Sequence, residues 1–441
     1  MNDTRKNGGL RPESEPDNES NAENALPRLI PGGRGMYSIK ALVERVAAEF
    51  ENEHGESSPA LLASETRSER IKLLRGTVDY VLAVESVSLA PDDLAELIRF
   101  SYSEVYGYGP LDPLITDPTI TTIALEGIDK VSVRYGHGDL KPADTLFEDH
   151  RHLRRIIQRM LHRAHAELNE NEPYLEVGFT VEDRRAGLNL VGPPVTLQLQ
   201  ADIRLHPETL PELDTFSDDA VARQLLNAIA HSPHGFVIVG QPESGKTTLL
   251  AVLTHLLESN SIVAVERSAE MQLPDHVQRL SVQWPYRDQT GLSFGQQVNA
   301  ALEREPDCII LDEVRADESE AIVPLLLADP PPRLIWTFRG PTSTKRLISA
   351  LGMLARRGDA LTGSGTDGEA LVRALYQRLP FVIAVRRHKQ RLHLHRIGEW
   401  QFAEGADYPD FVELLEWDED RVRLSGKRAQ NTLDLPDDFW P

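Results

Sequence analysis

Residues 240–247 read Gly240-Gln241-Pro242-Glu243-Ser244-Gly245-Lys246-Thr247 and match the pattern G-x-x-x-x-G-K-[ST] at every fixed position. An apolar stretch from Phe236 to Val239 precedes this loop, and leucines at helical spacing follow it from Leu249 to Leu257. A strand, a loop and a helix in this order are the context in which the pattern binds phosphate. A chance glycine-rich turn is the alternative, and the complete match in this context favours a nucleotide site.

The residue types of the loop suit a nucleoside triphosphate such as ATP. Backbone N–H groups of the loop would surround the β-phosphate, Lys246 would reach the β- and γ-oxygens, and the Thr247 hydroxyl would bind Mg²⁺. Glu243 adds a negative charge beside the phosphates and Pro242 lacks an N–H, so nucleotide affinity is expected to be reduced. The predicted nucleotide-binding residues are Gly240, Gln241, Pro242, Glu243, Ser244, Gly245, Lys246, Thr247 and Thr248.

Acidic residues end two further strand candidates. The apolar run Cys308 to Leu311 leads into Asp312 and Glu313. Asp312 is predicted to hold Mg²⁺, and Glu313 to orient water or the metal shell. Glu266 follows the run Ile262 to Val265 and is the candidate catalytic base. For both motifs the alternative is an ordinary strand end that runs into a solvated turn.

Helical and strand patterns alternate from Ser217 onward, and the strand candidates are continuous apolar runs. Such runs are expected when helices cover both faces of a parallel sheet, so the sequence predicts an α/β fold. The predicted segments are a disordered tail 1–36, a helical domain 37–106, an α/β domain 107–205, a linker 206–216, an α/β phosphate-loop domain 217–400 and a less regular acidic C-terminal segment 401–441.

The composition excludes several classes of protein. The chain of 441 residues has Lys+Arg 47 and Asp+Glu 69, a formal net charge of −22, which argues against a nucleic acid partner. Its single cysteine, Cys308, excludes an internal disulfide and a four-cysteine zinc site. It shows neither a membrane-spanning apolar run nor a secretory leader, so a cytoplasmic protein without direct membrane insertion is expected.

The chain resembles the secretion ATPases of type II and type IV systems, in particular the branch of Tad/Flp pilus and conjugation-type machines. The stretch Tyr108 to Ile120 is similar to the opening of the family's N-terminal domain, usually G-P-L-E-P-L-L-x-D-x-x-I. Asp202-Ile203-Arg204 resembles its S-I-R type motif. Val263 to Leu273 resembles its Asp box, I-E-D-x-x-E-L, and Ile309 to Arg315 resembles its Walker B motif.

This resemblance implies a RecA-like P-loop ATPase domain, preceded by a PAS-like α/β domain and a small helical N-terminal domain, assembled as a homo-hexameric ring. ATP and Mg²⁺ would lie between the PAS-like and RecA-like domains, and Arg204 would reach the nucleotide as a charge-stabilising arginine. ATP turnover would move one domain against the other and push on an inner-membrane platform protein. That partner would recruit the cytoplasmic protein to the inner face of the membrane.

The sequence departs from the family at several positions. Arg267 stands where the Asp box has aspartate, Asp312 replaces the Walker B glycine, and Gly187 aligns with an arginine. The His box aligns with the stretches Pro330 to Leu334 and Thr337 to Pro341, and both histidines are absent. Arg339 aligns with the second histidine and is a candidate γ-phosphate sensor; a solvent-exposed arginine is the alternative. Replacing Arg333 with alanine is expected to leave the ATPase rate nearly unchanged, in contrast to replacing Arg339.

Three functions therefore compete. The intact Lys246, Thr247, Asp312, Glu313 and Glu266 favour an ATP-hydrolysing motor subunit. The lost histidines, together with Pro242, Glu243 and Arg267, favour a nucleotide-binding structural subunit of a ring with weak or no hydrolysis. A RecA-type nucleic-acid motor is least favoured, because the chain carries a net charge of −22.

Overall fold

The computed structural model describes residues 29–440 except 34, 55–57, 59, 61–63, 65, 146, 169–172, 182–183, 260, 341–342, 363–366, 407 and 419–420. The chain divides into two compact units, Met1–Gly109 and Pro110–Pro441. Within the described ranges, none of the helices is long and apolar enough to cross a membrane.

The described part of the first unit is mainly helical. Strands β1 Ile30–Gly32 and β2 Gly35–Tyr37 pair antiparallel, and helices α1 Ile39–His54, α2 Arg67–Glu85 and α3 Pro91–Tyr106 follow. Thr66 and Glu69 form a capping box that satisfies N–H groups at the start of α2. The apolar residues that recur at helical spacing form the core of this unit, which includes Leu42, Val46, Leu74, Val78 and Leu97.

The β1–β2 hairpin corrects the predicted disordered tail 1–36. Ile30 is buried, and the backbone N–H of Gly33 donates to the carbonyl of Glu85 at 2.8 Å. The polar, glycine-rich composition of this stretch predicted disorder, whereas contacts with a distant helix end order it. Residues 1–28 of the predicted tail lie outside the described residues.

A six-stranded antiparallel sheet, here called the N-terminal sheet, begins the second unit. Its strands lie in the order β5-β4-β3-β8-β7-β6. Apolar residues of α5 are buried from Leu153 to Leu161, while its arginines alternate with them at helical spacing. The elements of this region are α4 Asp112–Thr116, β3 Ile120–Glu126, β4 Lys130–Tyr135, β5 Lys141–Pro142, α5 His150–Arg163, β6 Tyr174–Val181, β7 Arg184–Val191 and β8 Gln200–Leu205.

The rest of the second unit is built on a nine-stranded sheet, here called the large sheet. Its order is β11-β10-β12-β13-β9-β14-β15-β16-β17, in which the first six strands are parallel and the last three antiparallel. The strands are β9 Phe236–Gly240, β10 Ile262–Glu266, β11 Gln278–Ser281, β12 Cys308–Val314, β13 Arg333–Arg339, β14 Phe381–His388, β15 Arg391–Gln401, β16 Asp410–Asp418 and β17 Arg421–Leu424.

Helices cover both faces of the large sheet. They are α6 Ala220–His231, α7 Lys246–Thr254, α8 Phe294–Leu302, α9 Ser319–Leu327, α10 Thr344–Thr362 and α11 Gly368–Arg378. Alternate residues of β12 enter opposite cores, with Ile310 beside α6 and α7, and Ile309 and Leu311 beside α8 to α11. The α/β fold class is thereby confirmed, with the large-sheet domain following the smaller α/β domain and the helical unit in sequence.

The C-terminal region corrects the expectation of a less regular acidic segment 401–441. Strands β16 and β17 extend the large sheet, with Leu414 and Leu415 both buried. The register between β15 and β16 shifts at this point, so two consecutive residues face inward and the period of two is broken. The buried carboxylate of Glu399 then accepts the N–H groups of Gln430 at 2.7 Å and Asn431 at 2.8 Å, which anchors the chain beyond β17.

Arg333 has a structural role that the sequence did not indicate. Its guanidinium donates to the carbonyls of Ile229 and Ala230, both at 3.0 Å, and of His234 at 2.8 Å. These carbonyls belong to the end of α6 and the turn after it, where carbonyls have no partner within the helix. The expectation that replacing Arg333 is nearly silent therefore does not extend to folding.

We expect Arg333→Ala to lower the free energy of unfolding by about 2–4 kcal/mol, because several partly buried carbonyls lose a charged donor. Urea denaturation followed by circular dichroism measures the change. Arg346→Ala, at an exposed position of α10, is the matched control and should leave the urea midpoint unchanged. Equal midpoints for the two variants would contradict the capping role.

Candidate functional site

The predicted phosphate loop is a tight turn between β9 and α7. Gly245 has φ of 88°, a conformation that favours glycine, and it immediately precedes α7. Lys246 begins the helix and is buried, and its Nζ donates to the carbonyl of Gln241 at 3.0 Å. Burial lowers the pKa of Lys246, an effect that the nearby Glu313 and Asp312 oppose. The loop therefore places a cation and a helix N-terminus together, as phosphate binding requires.

Asp312 lies directly behind the loop. The hydroxyl of Thr247 donates to its Oδ1 at 3.1 Å, and the hydroxyl of Thr337 donates to the same oxygen at 2.7 Å. Burial raises the pKa of Asp312 to about 6, while the hydrogen bond from Thr337 acts in the opposite direction. Carboxylate and hydroxyl oxygens are the ligands that Mg²⁺ prefers, so the pair Thr247 and Asp312 fits a magnesium site.

Glu313 projects from an irregularity in β12. The register with β13 shifts between Leu311 and Val314, and Glu313 has φ of 58°. This backbone turns its carboxylate away from the alternation of the strand, and Oε1 lies 3.6 Å from Nη1 of Arg339 and 3.7 Å from Nη2 of Arg315. Arg339 ends β13 beside Gly240, with 53% of its side chain exposed.

A cavity of about 1230 Å³ lies between the N-terminal sheet and the large sheet. Its volume is sufficient for a nucleotide. Gly240, Gln241 and Ser244 belong to the phosphate turn but do not line the cavity, and Asp312 reaches it through Thr247. The sequence-predicted residues that line it are Pro242, Glu243, Gly245, Lys246, Thr247, Thr248, Arg204, Glu313 and Arg339.

Glu266, the candidate base from sequence, is not brought to this cavity. Its carboxylate is fully buried; Oε1 accepts the N–H of Met271 at 2.8 Å, and Oε2 lies 3.0 Å from Nε of Arg279. Burial raises the pKa of Glu266 to about 8, although Arg279 opposes the shift. The chain after β10 folds back over the strand end, so a backbone amide and Arg279 hold the carboxylate that was expected to face phosphate.

Glu270, from the loop after β10, lines the cavity instead. Its Oε1 lies 2.9 Å from Nη2 of Arg204, and its Oε2 lies 2.7 Å from Nε2 of His206. Burial acts to raise the pKa of Glu270, but Arg204 and His206 lower it to about 2. Arg204 in turn lies 3.7 Å from Glu176, and Glu270 is the main cause that raises the pKa of Arg204. The pairs of Glu270 with Arg204 and His206 join the N-terminal sheet to the large-sheet domain.

Two further arginines, Arg267 and Arg315, line the cavity. Arg267 donates through Nε to the carbonyl of Glu313 at 3.0 Å, pairs with Glu318, and lies over the ring of Phe294 at 4.7 Å. Arg315 pairs with Glu176 of the N-terminal sheet. The position that differs from the Asp box therefore supports the backbone of Glu313, and a second arginine crosses between the two sheets.

A family model described as type II/IV secretion system protein matches residues 105–324, which span the N-terminal sheet, the phosphate loop and Glu313. The chain belongs to the type II/IV secretion system protein family.

The chain is also similar to individual proteins. A Mycobacterium tuberculosis protein described as a conjugal transfer protein is 29% identical over 243 residues, which cover 52% of this chain and 68% of the relative. Type II secretion system protein E of Pectobacterium carotovorum is 32% identical over 160 residues, or 36% of this chain and 30% of the relative. Among solved structures, the Legionella pneumophila ATPase DotB aligns at 16% identity and a TM-score of 0.45, covering 67% of this chain and 80% of DotB.

In this member of the secretion family, one departure in the N-terminal sheet has a direct spatial reason. Gly187, which aligns with an arginine, lies against Glu270, and a Cβ at this position would collide with the Glu270 carboxylate. Of the two His-box positions, Pro331 does not line the cavity and Arg339 does. Pro341, at the end of the aligned stretch, lies outside the described residues.

The charged cavity residues that sequence reasoning missed include Arg134, His206, Glu270 and Arg315. Glu270 and Arg315 stand inside the stretches that resemble the Asp box and Walker B, so the motifs themselves contained a signal. No sequence motif marked Arg134 or His206, because Arg134 lies in a strand candidate and His206 begins the predicted linker. Only the packing of the two sheets identifies them.

The position of Glu266 predicts a pH dependence of stability. Its pKa is raised from 4.5 to about 8, so over this window the folded protein keeps a proton that the unfolded chain has released, and stability falls as pH rises. Relative to Glu266→Gln, the parent should lose unfolding free energy between about pH 5 and about pH 8 in urea titrations. The exposed Glu404→Gln should follow the parent. Parallel curves for the parent and Glu266→Gln would show that Arg279 keeps Glu266 ionised.

Proposed function

We propose that this protein is an ATP-hydrolysing motor subunit of a secretion or pilus-assembly machine. The observation that carries the proposal is the convergence of Lys246, Thr247 and Glu313 with Arg204 of a second sheet on one cavity. A chance glycine-rich turn would not have Glu313, Arg204 and Arg339 from three separate strands lining one cavity with the buried Lys246. Membership of the secretion family supports the same function.

The phosphate loop accounts for binding. The N-terminus of α7 and the buried ammonium of Lys246 favour the β- and γ-phosphates of ATP. Thr247 and Asp312 would hold Mg²⁺, which neutralises phosphate charge. Burial raises the pKa of Asp312 only to about 6. This value is still below neutral pH, so the carboxylate is largely ionised there.

Hydrolysis requires an oriented water and charge stabilisation of the transferred phosphoryl group. Glu313 of β12 lines the cavity, and we assign it the water-orienting role in place of Glu266. Arg339 lies 3.6 Å from Glu313 at the end of the adjacent strand, where a guanidinium can contact the γ-phosphate. Arg204 supplies positive charge from the opposite sheet.

Motion of the two sheets would be the output of this chemistry. Nucleotide would bridge them, since the loop and Arg204 belong to different sheets, and release of phosphate would loosen the bridge. We propose that six copies form a ring at the inner face of the membrane and act on a membrane platform protein. The relative described as a conjugal transfer protein supports a conjugation-type machine.

A nucleotide-binding structural subunit with weak hydrolysis is the second candidate. The observation in its favour is that the acids of the cavity are already engaged: Glu313 lies near two arginines, and Glu270 is held by Arg204 and His206. Arg204 and His206 lower the pKa of Glu270 to about 2, which makes this acid a poor acceptor of a proton from water. Binding and hydrolysis therefore need separate tests.

Binding of ATP should raise the melting temperature of the protein. At about 100 times its dissociation constant, Mg²⁺-ATP should stabilise the fold by roughly 2.7 kcal/mol. Lys246→Ala should lose this shift, whereas Lys345→Ala, at an exposed position of α10, should keep it. No ATP-dependent shift in the parent at millimolar nucleotide would contradict the proposal.

Hydrolysis should depend on Glu313 and Arg339. Glu313→Gln and Arg339→Ala should each reduce steady-state phosphate release at least about tenfold, equivalent to roughly 1.4 kcal/mol of barrier, with ATP affinity retained. Glu266→Gln, outside the cavity, should keep the parent rate under conditions where it is folded, and so should the exposed Arg346→Ala. Loss of turnover in Glu266→Gln alone would restore Glu266 as the base. A parent protein that binds ATP without measurable turnover would favour the structural subunit.

A further inference from the structure

Glu243 occupies a restrictive position in the phosphate loop. Its φ of 59° is left-handed, a conformation in which a side chain other than glycine is disfavoured. The side chain is 36% exposed and lines the cavity, two residues before the glycine that precedes α7. A residue kept in a disfavoured conformation at a functional loop suggests a use for its carboxylate.

The partner of that carboxylate comes from the other sheet. Nη1 of Arg134, on β4, lies 2.6 Å from Oε1 of Glu243, and the arginine side chain is only 8% exposed. Nη1 also lies 3.4 Å from the hydroxyl of Thr122 on the neighbouring strand β3. Within the described part of the chain, Glu243 is the acid that pairs with this buried guanidinium at salt-bridge distance.

Arg134 also has an unused donor. Its Nε is buried and has no hydrogen-bond partner in the part of the protein that the structure describes. A guanidinium binds an anion best through two parallel N–H donors, and the contact with Glu243 uses one end of the fork. Arg134 thus lines the cavity beside the phosphate loop, and movement of its guanidinium away from Glu243 would make its N–H donors accessible to a phosphate oxygen.

We propose that Glu243 and Arg134 form a latch that competes with the phosphates of the bound nucleotide. In the latched arrangement, Glu243 holds Arg134 and ties β4 to the phosphate loop. A triphosphate brings several negative charges beside Glu243, repels its carboxylate and takes over Arg134. The latch therefore sets nucleotide affinity, and binding of nucleotide releases one link between the two sheets. This inference rests on the proposed nucleotide site.

A fixed ion pair and a latch differ in how the two residues are coupled. In the parent, Arg134 must leave Glu243 before it can contact phosphate. Removal of Arg134 loses the phosphate contact, but it also removes the ion pair that nucleotide must break. The two effects offset each other, so ATP affinity changes little. Once Glu243 is neutral, removal of Arg134 costs the whole phosphate contact. The cost of Arg134→Gln must therefore depend on the residue at position 243, which a double-mutant cycle measures.

The experiment is isothermal titration of the full chain with Mg²⁺-ATP, inorganic pyrophosphate and adenosine. The variants are Glu243→Gln, Arg134→Gln, the double variant and Glu404→Gln, which removes one exposed charge outside the cavity. We expect Glu243→Gln to bind ATP and pyrophosphate at least about tenfold tighter than the parent, with adenosine and Glu404→Gln unchanged. Arg134→Gln should weaken ATP binding at least about fivefold more in the Glu243→Gln background than in the parent. Melting temperatures establish that each variant is folded.

The possible results distinguish failure of the latch from failure of the proposed nucleotide-binding function. If the parent binds ATP and Glu243→Gln binds it equally well, the pair is only an interface contact and the latch is wrong, while the nucleotide site stands. If Glu243→Gln tightens binding but Arg134→Gln costs the same in both backgrounds, repulsion acts without transfer and the latch is again wrong. Absence of ATP binding by the parent and by every variant would overturn the proposed function and the latch together.

Discussion

The carboxylate of Glu270 is buried where the N-terminal sheet meets the large-sheet domain. There Arg204 of the N-terminal side neutralises it, and His206 lies at hydrogen-bond distance from it. A buried charge without partners is costly, so Glu270 constrains the N-terminal sheet to a position that delivers both. Gly187 permits this approach, because any Cβ would meet the carboxylate. The width of the cavity and the placement of Arg204 near the phosphate loop both follow from this contact.

Arg204 is also the first member of a series of neighbouring arginines and acids. Arg204 also approaches Glu176, Glu176 pairs with Arg315, and Arg315 approaches Glu313. Acids that face the cavity are thereby balanced by arginines, which explains how a chain of net charge −22 can present a site for polyanionic phosphate. Charge balance is local, and the net charge of the chain does not report it. The network joins charged residues of both sheets around the cavity.

The large sheet supplies the rigid part of this arrangement. Parallel strands bring their carboxyl ends to one edge, so that the loop after β9, Asp312 and Glu313 of β12 and Arg339 of β13 meet there. The irregularity at Glu313 matters within this geometry, since a regular strand would not turn both Asp312 and Glu313 toward the site. The phosphate loop adds a second local distortion in Glu243 and Gly245. Regular elements thus fix the positions, and short irregular segments aim the side chains.

The sequence by itself determined the parts that depend on neighbouring residues. The complete loop Gly240 to Thr247, the apolar runs of the parallel strands and the acids after Cys308 to Leu311 are local patterns, and each appears in the structure as a strand, a turn or a helix start. Tertiary structure alone decided the rest. Glu266 is a strand-end acid by pattern, but the chain folds back on it; Arg134 is an ordinary strand residue by pattern, but it reaches the loop of another sheet. β16 was hidden because its bulge breaks the alternation that a sequence can show. Local patterns fix the backbone of an element, whereas the partner of a charged side chain is set by segments that are distant in sequence and meet only in the folded chain.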